Sequence, residues 1–282
     1  MRLLGEVLNL SIQYLKDKKV ESPRLTAELL LAHILKKKRL DLYMQFECPL
    51  EEPELEKFRL LIKRASLHEP VEYITSEVEF YGCSFFVSED VLIPRPETEV
   101  LVDKVVKKIE KENLDGKVLW DICAGSGCMG LSIKKKLPLL KVSLSDVSVK
   151  ALSVCQENAK KNNLDVECLL GDLLSPFKGR KAHYVLCNPP YVTEKEYGGL
   201  QPSVKIYEPR QALVGGETGC EFYERLARDL PECLAPRAKV FLELGSGQGE
   251  VVNKIFSSPF WGRKELLFDY AGHDRFFFLE IE

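Results

Sequence analysis

After Thr98 the sequence falls into a rhythm that few folds can satisfy: short apolar runs separated, for the most part, by stretches of helical length. The runs are Val118-Leu119-Trp120, Val142-Ser143-Leu144, Val166 to Leu170, Tyr184 to Cys187 and Val240-Phe241-Leu242. Strands that alternate with helices predict a parallel, doubly wound sheet covered on both faces. The ending breaks the rhythm. Leu266-Leu267-Phe268 and Phe276 to Leu279 are joined only by Asp269 to Arg275, too few residues for a parallel crossover, so these last two strands are expected to pair antiparallel.

The chain before that rhythm reads differently. Leu3, Val7, Leu10 and Tyr14 lie on one helical face; Ser22-Pro23 opens a second helix carrying Leu25, Leu29 and Ala32; Leu55, Phe58, Leu61, Ile62 and Ala65 repeat the spacing after Pro53. A small helical bundle is expected over residues 1–70. From Val71 the period shortens: Val71 to Thr75 and Glu77 to Tyr81 alternate, Gly82 interrupts, and Ser84 to Val87 follows, the signals of a β-hairpin in a linker over 71–95. Pro94-Arg95-Pro96 stiffens the boundary to a catalytic domain over 96–282. A chain of 282 residues has room for two such domains.

Several classes fall on composition. The apolar stretch Leu29 to Leu35 stops at Lys36-Lys37-Lys38-Arg39, far short of a bilayer span, and Glu6 interrupts the N-terminus before a secretory core can form. Nine cysteines without a CxxC spacing fit reduced thiols in a cytoplasmic protein, with no metal site expected. Lys and Arg number 40 against 43 Asp and Glu, a net charge of −3 that argues against a chain whose main task is coating nucleic acid.

Asp121-Ile122-Cys123-Ala124-Gly125-Ser126-Gly127 ends the first strand and opens a helix, with Gly125, Gly127 and Gly130 in GxGxxG spacing and Asp146 ending the next strand. A dinucleotide site uses such a turn and acid, the acid holding ribose hydroxyls. A cofactor with ribose but no pyrophosphate can use both equally. Asp121, just before the glycines, suits a cationic amino-acid end better than a pyrophosphate, and Asp172 after the third strand can accept from an adenine amino group. These acids favour S-adenosylmethionine, with S-adenosylhomocysteine as product. A second acid-and-glycine segment, Glu243 to Gly249, reads as a turn into a helix, because one sheet has one switch point and the first loop occupies it.

Asn188-Pro189-Pro190-Tyr191 follows the fourth strand. An amide or aromatic amine is a poor nucleophile, because its nitrogen lone pair is delocalised. Two acceptors gripping both N–H groups favour a tetrahedral nitrogen; the Asn188 side-chain oxygen can be one and the Pro189 carbonyl the other. Pro189 and Pro190 stiffen the loop and donate no competing N–H, and the Tyr191 ring can lie against a flat target group. Catalysis then rests on alignment rather than on a strong base. His183, at a strand start, reads as structural.

At these residues the chain resembles the HemK family, the release factor glutamine N5-methyltransferases. The matching segments are Pro70 to Ile74, Glu79 to Gly82, Leu92 to Glu99, the Asp121 to Gly127 loop, Asn188 to Tyr191, and Glu208 to Leu213 with Gly215-Gly216. The resemblance implies a Rossmann-like class I S-adenosylmethionine-dependent methyltransferase domain behind a helical substrate-docking domain. It implies methylation of the glutamine amide in the Gly-Gly-Gln tripeptide of bacterial peptide chain release factors. Carried over by position, Cys123, Ala124, Gly125, Ser126 and Gly127, Asp146, Asp172 or Leu173, and Asn188 would contact the cofactor, and Asn188 to Tyr191 would hold the glutamine. The family usually has Gly-Thr where this chain has Cys123-Ala124, which bears on how closely the backbone can approach the methionine carboxylate. A ribosomal-protein glutamine is a rival substrate, and a nucleic-acid adenine a more distant one. Residues 71–282 carry 27 basic and 32 acidic groups, against the basic surface an adenine methyltransferase needs. A binding module that keeps the fold without turnover is the non-enzymatic alternative.

Overall fold

The structure is a computed structural model in which residues 2–282 are described. It divides into two compact units. The first runs to Glu77 and also takes in Gln201–Tyr207. Strand β1 (Arg2–Leu3) leads into helix α1 (Leu4–Asp17), followed by α2 (Pro23–Leu35), a strand β2 (Pro49–Leu50) that pairs antiparallel with β1, and α3 (Glu52–Ala65). Leu8, Leu15, Leu30, Leu31, Phe58 and Ala65 from the three helices close one core. Tyr207 donates its hydroxyl to the Leu67 carbonyl at 2.9 Å, holding the later segment within this unit.

Val71–Thr75, expected as a strand, is helix α4. Alternation over five residues cannot separate the two periods. Pro70, at φ −58°, sets the entry to a helical turn, and a spacing of three brings Val71 and Ile74 to the first unit's core. The Thr75 hydroxyl then donates back to the Val71 carbonyl at 2.9 Å. The hairpin is therefore shorter than expected: β3 (Glu77–Phe80) and β4 (Cys83–Phe86), joined by Tyr81-Gly82, both at positive φ as a tight two-residue turn requires.

The second unit, Val78–Leu200 with Glu208–Glu282, is built on one sheet. In chain order its elements are α5 (Pro96–Ile109), β5 (Val118–Ile122), α6 (Cys128–Lys136), β6 (Lys141–Asp146), α7 (Val149–Lys161), β7 (Glu167–Leu170), β8 (Ala182–Cys187) and β9 (Val192–Thr193). Then come α8 (Glu194–Tyr197), α9 (Pro202–Tyr207, of the first unit), α10 (Arg210–Leu213), β10 (Val214–Gly216), α11 (Glu221–Asp229), β11 (Leu234–Glu243), α12 (Gly249–Ile255), β12 (Arg263–Phe268) and β13 (Asp274–Glu280). The seven strands run in the order β12-β13-β11-β8-β5-β6-β7. All pairs from β11 to β7 are parallel, and β13 is antiparallel to both its neighbours.

Alternation along these strands feeds two cores. Leu119, Leu144, Leu186 and Phe241 pack in one layer with α5 and α6, while Trp120, Ile122, Val185, Val240 and Leu242 pack in the other with α11 and α12. The chain leaves β5 toward β6 and β7 on one side and returns through β8 toward β11 on the other. The carboxyl end of β5 is thus the switch point, where a crevice opens. No described helix is long and apolar enough to cross a membrane. The nine cysteines are free thiols.

Candidate active site

A cavity of about 340 Å³ lies at this carboxyl edge, within the size range of small-ligand sites. Successive strand ends supply its wall: Cys123, Ala124, Gly125 and Ser126 after β5, Asp146 at the end of β6, Asp172 and Leu173 after β7, and Asn188 and Pro190 after β8. Four segments far apart in sequence meet there because parallel strands all end on the same edge.

The glycine loop is shaped by its own hydrogen bonds. Gly127, at φ 80°, caps α6, and a Cβ there would stand 2.7 Å from the Cys155 sulfur, so the loop closes only without a side chain. Asp146 accepts from the Gly125 amide and the Ser148 amide, both at 2.9 Å. Burial raises its pKa, and those amides oppose the rise by stabilising the ionised form. Its two oxygens keep spare lone pairs for a ligand's hydroxyls. Asp172 stands exposed at the cavity's edge in an ion pair with Arg225.

Not every expected residue reaches the wall. Asp121 is fully buried and turned away from the cavity: its Oδ2 accepts from the Gly130 amide at 2.8 Å, and its Oδ1 has no partner. Strand parity is the reason, since Asp121 follows Leu119 onto the face that packs against α6. Burial pushes its pKa up to about 7, the Gly130 amide lowers it, and Asp146 adds to the rise. Asp121 therefore anchors the start of α6 and does not meet a ligand's cationic end directly. Gly127 and Pro189 are buried behind the surface, and Tyr191 is half-buried beside Gly245. The Tyr191 phenol is pushed up to about 12, chiefly by burial, so it stays protonated. His183 is structural, its Nδ1 accepting from the Val118 amide at 3.2 Å.

Residues not assigned to the site from sequence complete the arrangement. Thr98 lines the cavity, and its Oγ1 accepts from Asn188 Nδ2 at 3.5 Å. Arg95 lines it too and pairs with the buried Glu208, whose other oxygen accepts from the Ile93 amide at 3.3 Å. Phe222 and Gln211 add to the wall. Strand β10 pairs with β9 just beyond Tyr191, and a Cβ on Gly215 would stand 2.3 Å from the Pro190 carbonyl oxygen. Two of the segments that carry the resemblance, Leu92 to Glu99 and Glu208 to Leu213 with Gly215-Gly216, thus border the Asn188 to Tyr191 segment through Thr98 and Gly215.

A nucleoside-sized cavity sharing its wall with an Asn-Pro-Pro-Tyr segment belongs to amino-group methyl transfer, and a methyltransferase is the class that this fold and site define. Release factor glutamine methyltransferase of Bacillus cereus is 40% identical over 259 residues, covering 90% of this chain and 92% of its own length, and the protein of that name from Chlamydia trachomatis serovar L2 is 38% identical over 277 residues, covering 98% and 94%. The chain belongs to the release factor glutamine methyltransferase family. A family model described as PrmC N-terminal domain matches residues 6–75, and one described as Methyltransferase small domain matches residues 96–204. Among solved structures, a methyltransferase from Pyrococcus furiosus aligns with a TM-score of 0.53 at 17% identity, covering 80% of this chain and 98% of that one, which shows likeness of fold.

Proposed function

We propose that this protein transfers a methyl group from S-adenosylmethionine to the side-chain amide nitrogen of the glutamine in the Gly-Gly-Gln motif of a peptide chain release factor. The observation that carries the reading is a shared wall. Asn188 and Pro190 line the same cavity as Asp146, Asp172 and the glycine loop, so a target amide held by Asn188 lies beside a cofactor held by the acids. The donor set fits that cofactor: carboxylates for ribose and adenine, and apolar Ala124, Leu173 and Phe222 for the base.

When bound, S-adenosylmethionine supplies an already activated methyl group. What remains for the chain is to bind and to aim. Asp146, fixed by two backbone amides, would hold the ribose; Asp172 or the Leu173 backbone would read the adenine; Cys123 to Ser126 would hold the methionine end. Asn188 Oδ1 and the Pro189 carbonyl accept the two amide hydrogens of the glutamine, drawing its nitrogen out of conjugation, and Tyr191 lies against the amide plane. The product nitrogen sheds its proton once it carries the methyl, so no strong base is required. Residues 1–70 serve as the docking domain for the release factor, and the site of action is the cytoplasm, where release factors work.

The test is direct. With methyl-labelled S-adenosylmethionine and a purified release factor, label is expected only on the glutamine of Gly-Gly-Gln, and a release factor with that glutamine changed to alanine should take up none. Label on a ribosomal protein or on nucleic acid, with the release factor untouched, overturns the reading.

A further inference from the structure

Glu243 ends β11, one strand over from Asn188, with Leu242 opposite Cys187 in the register. Its side chain is only 1% exposed. A carboxyl group buried so deeply is costly unless its surroundings answer it, and an apolar residue would fill the space without that cost. Two polar side chains answer in part: the Thr98 hydroxyl from α5 and the Asn188 amide each favour the ionised carboxyl, while Oε2 has no hydrogen-bond partner. The charges nearby are Arg275 of β13, whose guanidinium is held by the Leu244 carbonyl at 3.1 Å and by Asp269, and Glu97 of α5.

The consequence falls on Asn188. A side-chain amide has a donor end and an acceptor end of nearly equal shape, and only its neighbours decide which end points where. Here Nδ2 donates to Thr98 Oγ1 at 3.5 Å, and Glu243, one position past the Leu242–Cys187 pair, ends the neighbouring strand beside Asn188. We propose that Glu243 is a positioning residue: with Thr98 it takes both amide hydrogens of Asn188 and so turns Oδ1 toward the target amide. The proposal rests on the reading of Asn188 as the acceptor for the target amide. A flipped Asn188 would offer N–H to N–H and repel the substrate. The same turn steadies the far end of the segment. Gln248 Nε2 donates to the Tyr191 carbonyl at 3.1 Å and to the Gly219 carbonyl at 3.3 Å, and its Oε1 accepts from the Gly245 amide at 2.9 Å. Gly245 lets the Tyr191 ring approach, since a Cβ there would stand 2.9 Å from Cδ2. The second acid-and-glycine turn is thus a brace for the Asn188 to Tyr191 segment.

The test compares Glu243→Leu, Glu243→Gln and Thr98→Val in the full-length protein, each alone and with Asn188→Ala. The readouts are single-turnover methylation of release factor, KM, S-adenosylhomocysteine affinity and melting temperature. Glu243→Leu is expected to lose roughly 10–100-fold in the methyl-transfer rate, with KM and cofactor affinity within about twofold. Glu243→Gln keeps an acceptor oxygen and should stay within about fivefold of the wild-type rate. In the Asn188→Ala background Glu243→Leu should add less than about twofold, because it acts through the residue already removed. A wild-type rate in Glu243→Leu, or an undiminished loss on top of Asn188→Ala, overturns the brace. Where Glu243→Leu fails to fold, Thr98→Val decides: a loss that vanishes in the Asn188→Ala background supports the proposal, and one that persists overturns it. Full activity in Asn188→Ala alone removes the underlying reading of Asn188; a crippled Asn188→Ala beside an unaffected Glu243→Leu removes only the brace.

Discussion

Two turns in this protein begin alike and end in different work. Asp121 to Gly127 and Glu243 to Gly249 each start with an acid at or next to a strand's last residue, continue through glycines and open a helix, α6 in one case and α12 in the other. Both acids are buried, and burial pushes both up to about 7. Only the first turn lines the cavity. The second lies one strand beyond Asn188 and braces that residue from behind. Local sequence makes the turn, but the place of its strand in the sheet decides what the turn can touch. In the proposed reaction the first serves the cofactor side and the second the substrate side.

That division is open to breaking, most severely at Asn188. Asn188→Ala removes one of the two proposed acceptors for the target amide and should lower the methyl-transfer rate by about 10²–10³-fold, the scale seen when one preorganised hydrogen-bonding group is lost. S-adenosylhomocysteine affinity, measured by calorimetry, should change far less. A matching collapse in affinity would place Asn188 on the cofactor side and dissolve the contrast. The mirror experiment is Asp146→Ala, which removes a carboxylate that braces Gly125 and is proposed to hold ribose hydroxyls. Charged hydrogen bonds of this kind contribute about 1.5–3 kcal/mol, so affinity should fall by roughly 10–100-fold. The maximal rate at saturating cofactor should fall by much less.

The buried acids give a third contrast, read through pH. Burial pushes the Asp121 pKa up to about 7 in the folded protein, against about 3.9 for an aspartate in an unfolded chain. Between those values the folded state binds more protons, so Asp121 makes stability decline as pH rises. Its penalty is absent below about 4 and complete above about 7. The slope is on the order of 1 kcal/mol per pH unit. Asp121→Asn keeps an acceptor for the Gly130 amide and removes the charge. Urea unfolding of this variant should show a shallower decline from pH 4 to 7 and greater stability at pH 8. An unchanged slope would mean that Asp121 stays ionised in the fold.

How much of this the sequence disclosed depended on the reach of each contact. The sheet, its switch point and its antiparallel ending follow from apolar runs and the lengths between them. The acids at strand ends and the Asn188 loop were legible as well, because parallel strands deliver their ends to one edge. What was not legible spans long separations: Thr98 meets Asn188 across 90 positions, and Arg95 meets Glu208 across 113. Asp121 was within reach of a better reading. Parity along β5 puts it with Leu119 beneath α6, as parity along β11 puts Glu243 with Phe241 facing α5 and Thr98. Val71–Thr75 fell to helix because Pro70 and a spacing of three outweighed a weak alternation.

The smallest expected effect lies inside the first turn itself. Cys123 sits at φ 59°, in the left-handed region, where a side chain costs about 1–2 kcal/mol. The family's usual glycine carries no such strain. Cys123→Gly relieves it but gives the unfolded chain more freedom, a loss of about 0.5–1 kcal/mol. The two nearly cancel, so the urea midpoint should move by less than about 0.5 kcal/mol in equivalent stability. Cofactor affinity should hold or rise slightly, because the cavity wall gains room where Cys123 now stands. A marked loss of affinity would show that this thiol touches the ligand, making the departure from glycine an adaptation of the cofactor side rather than a tolerated strain.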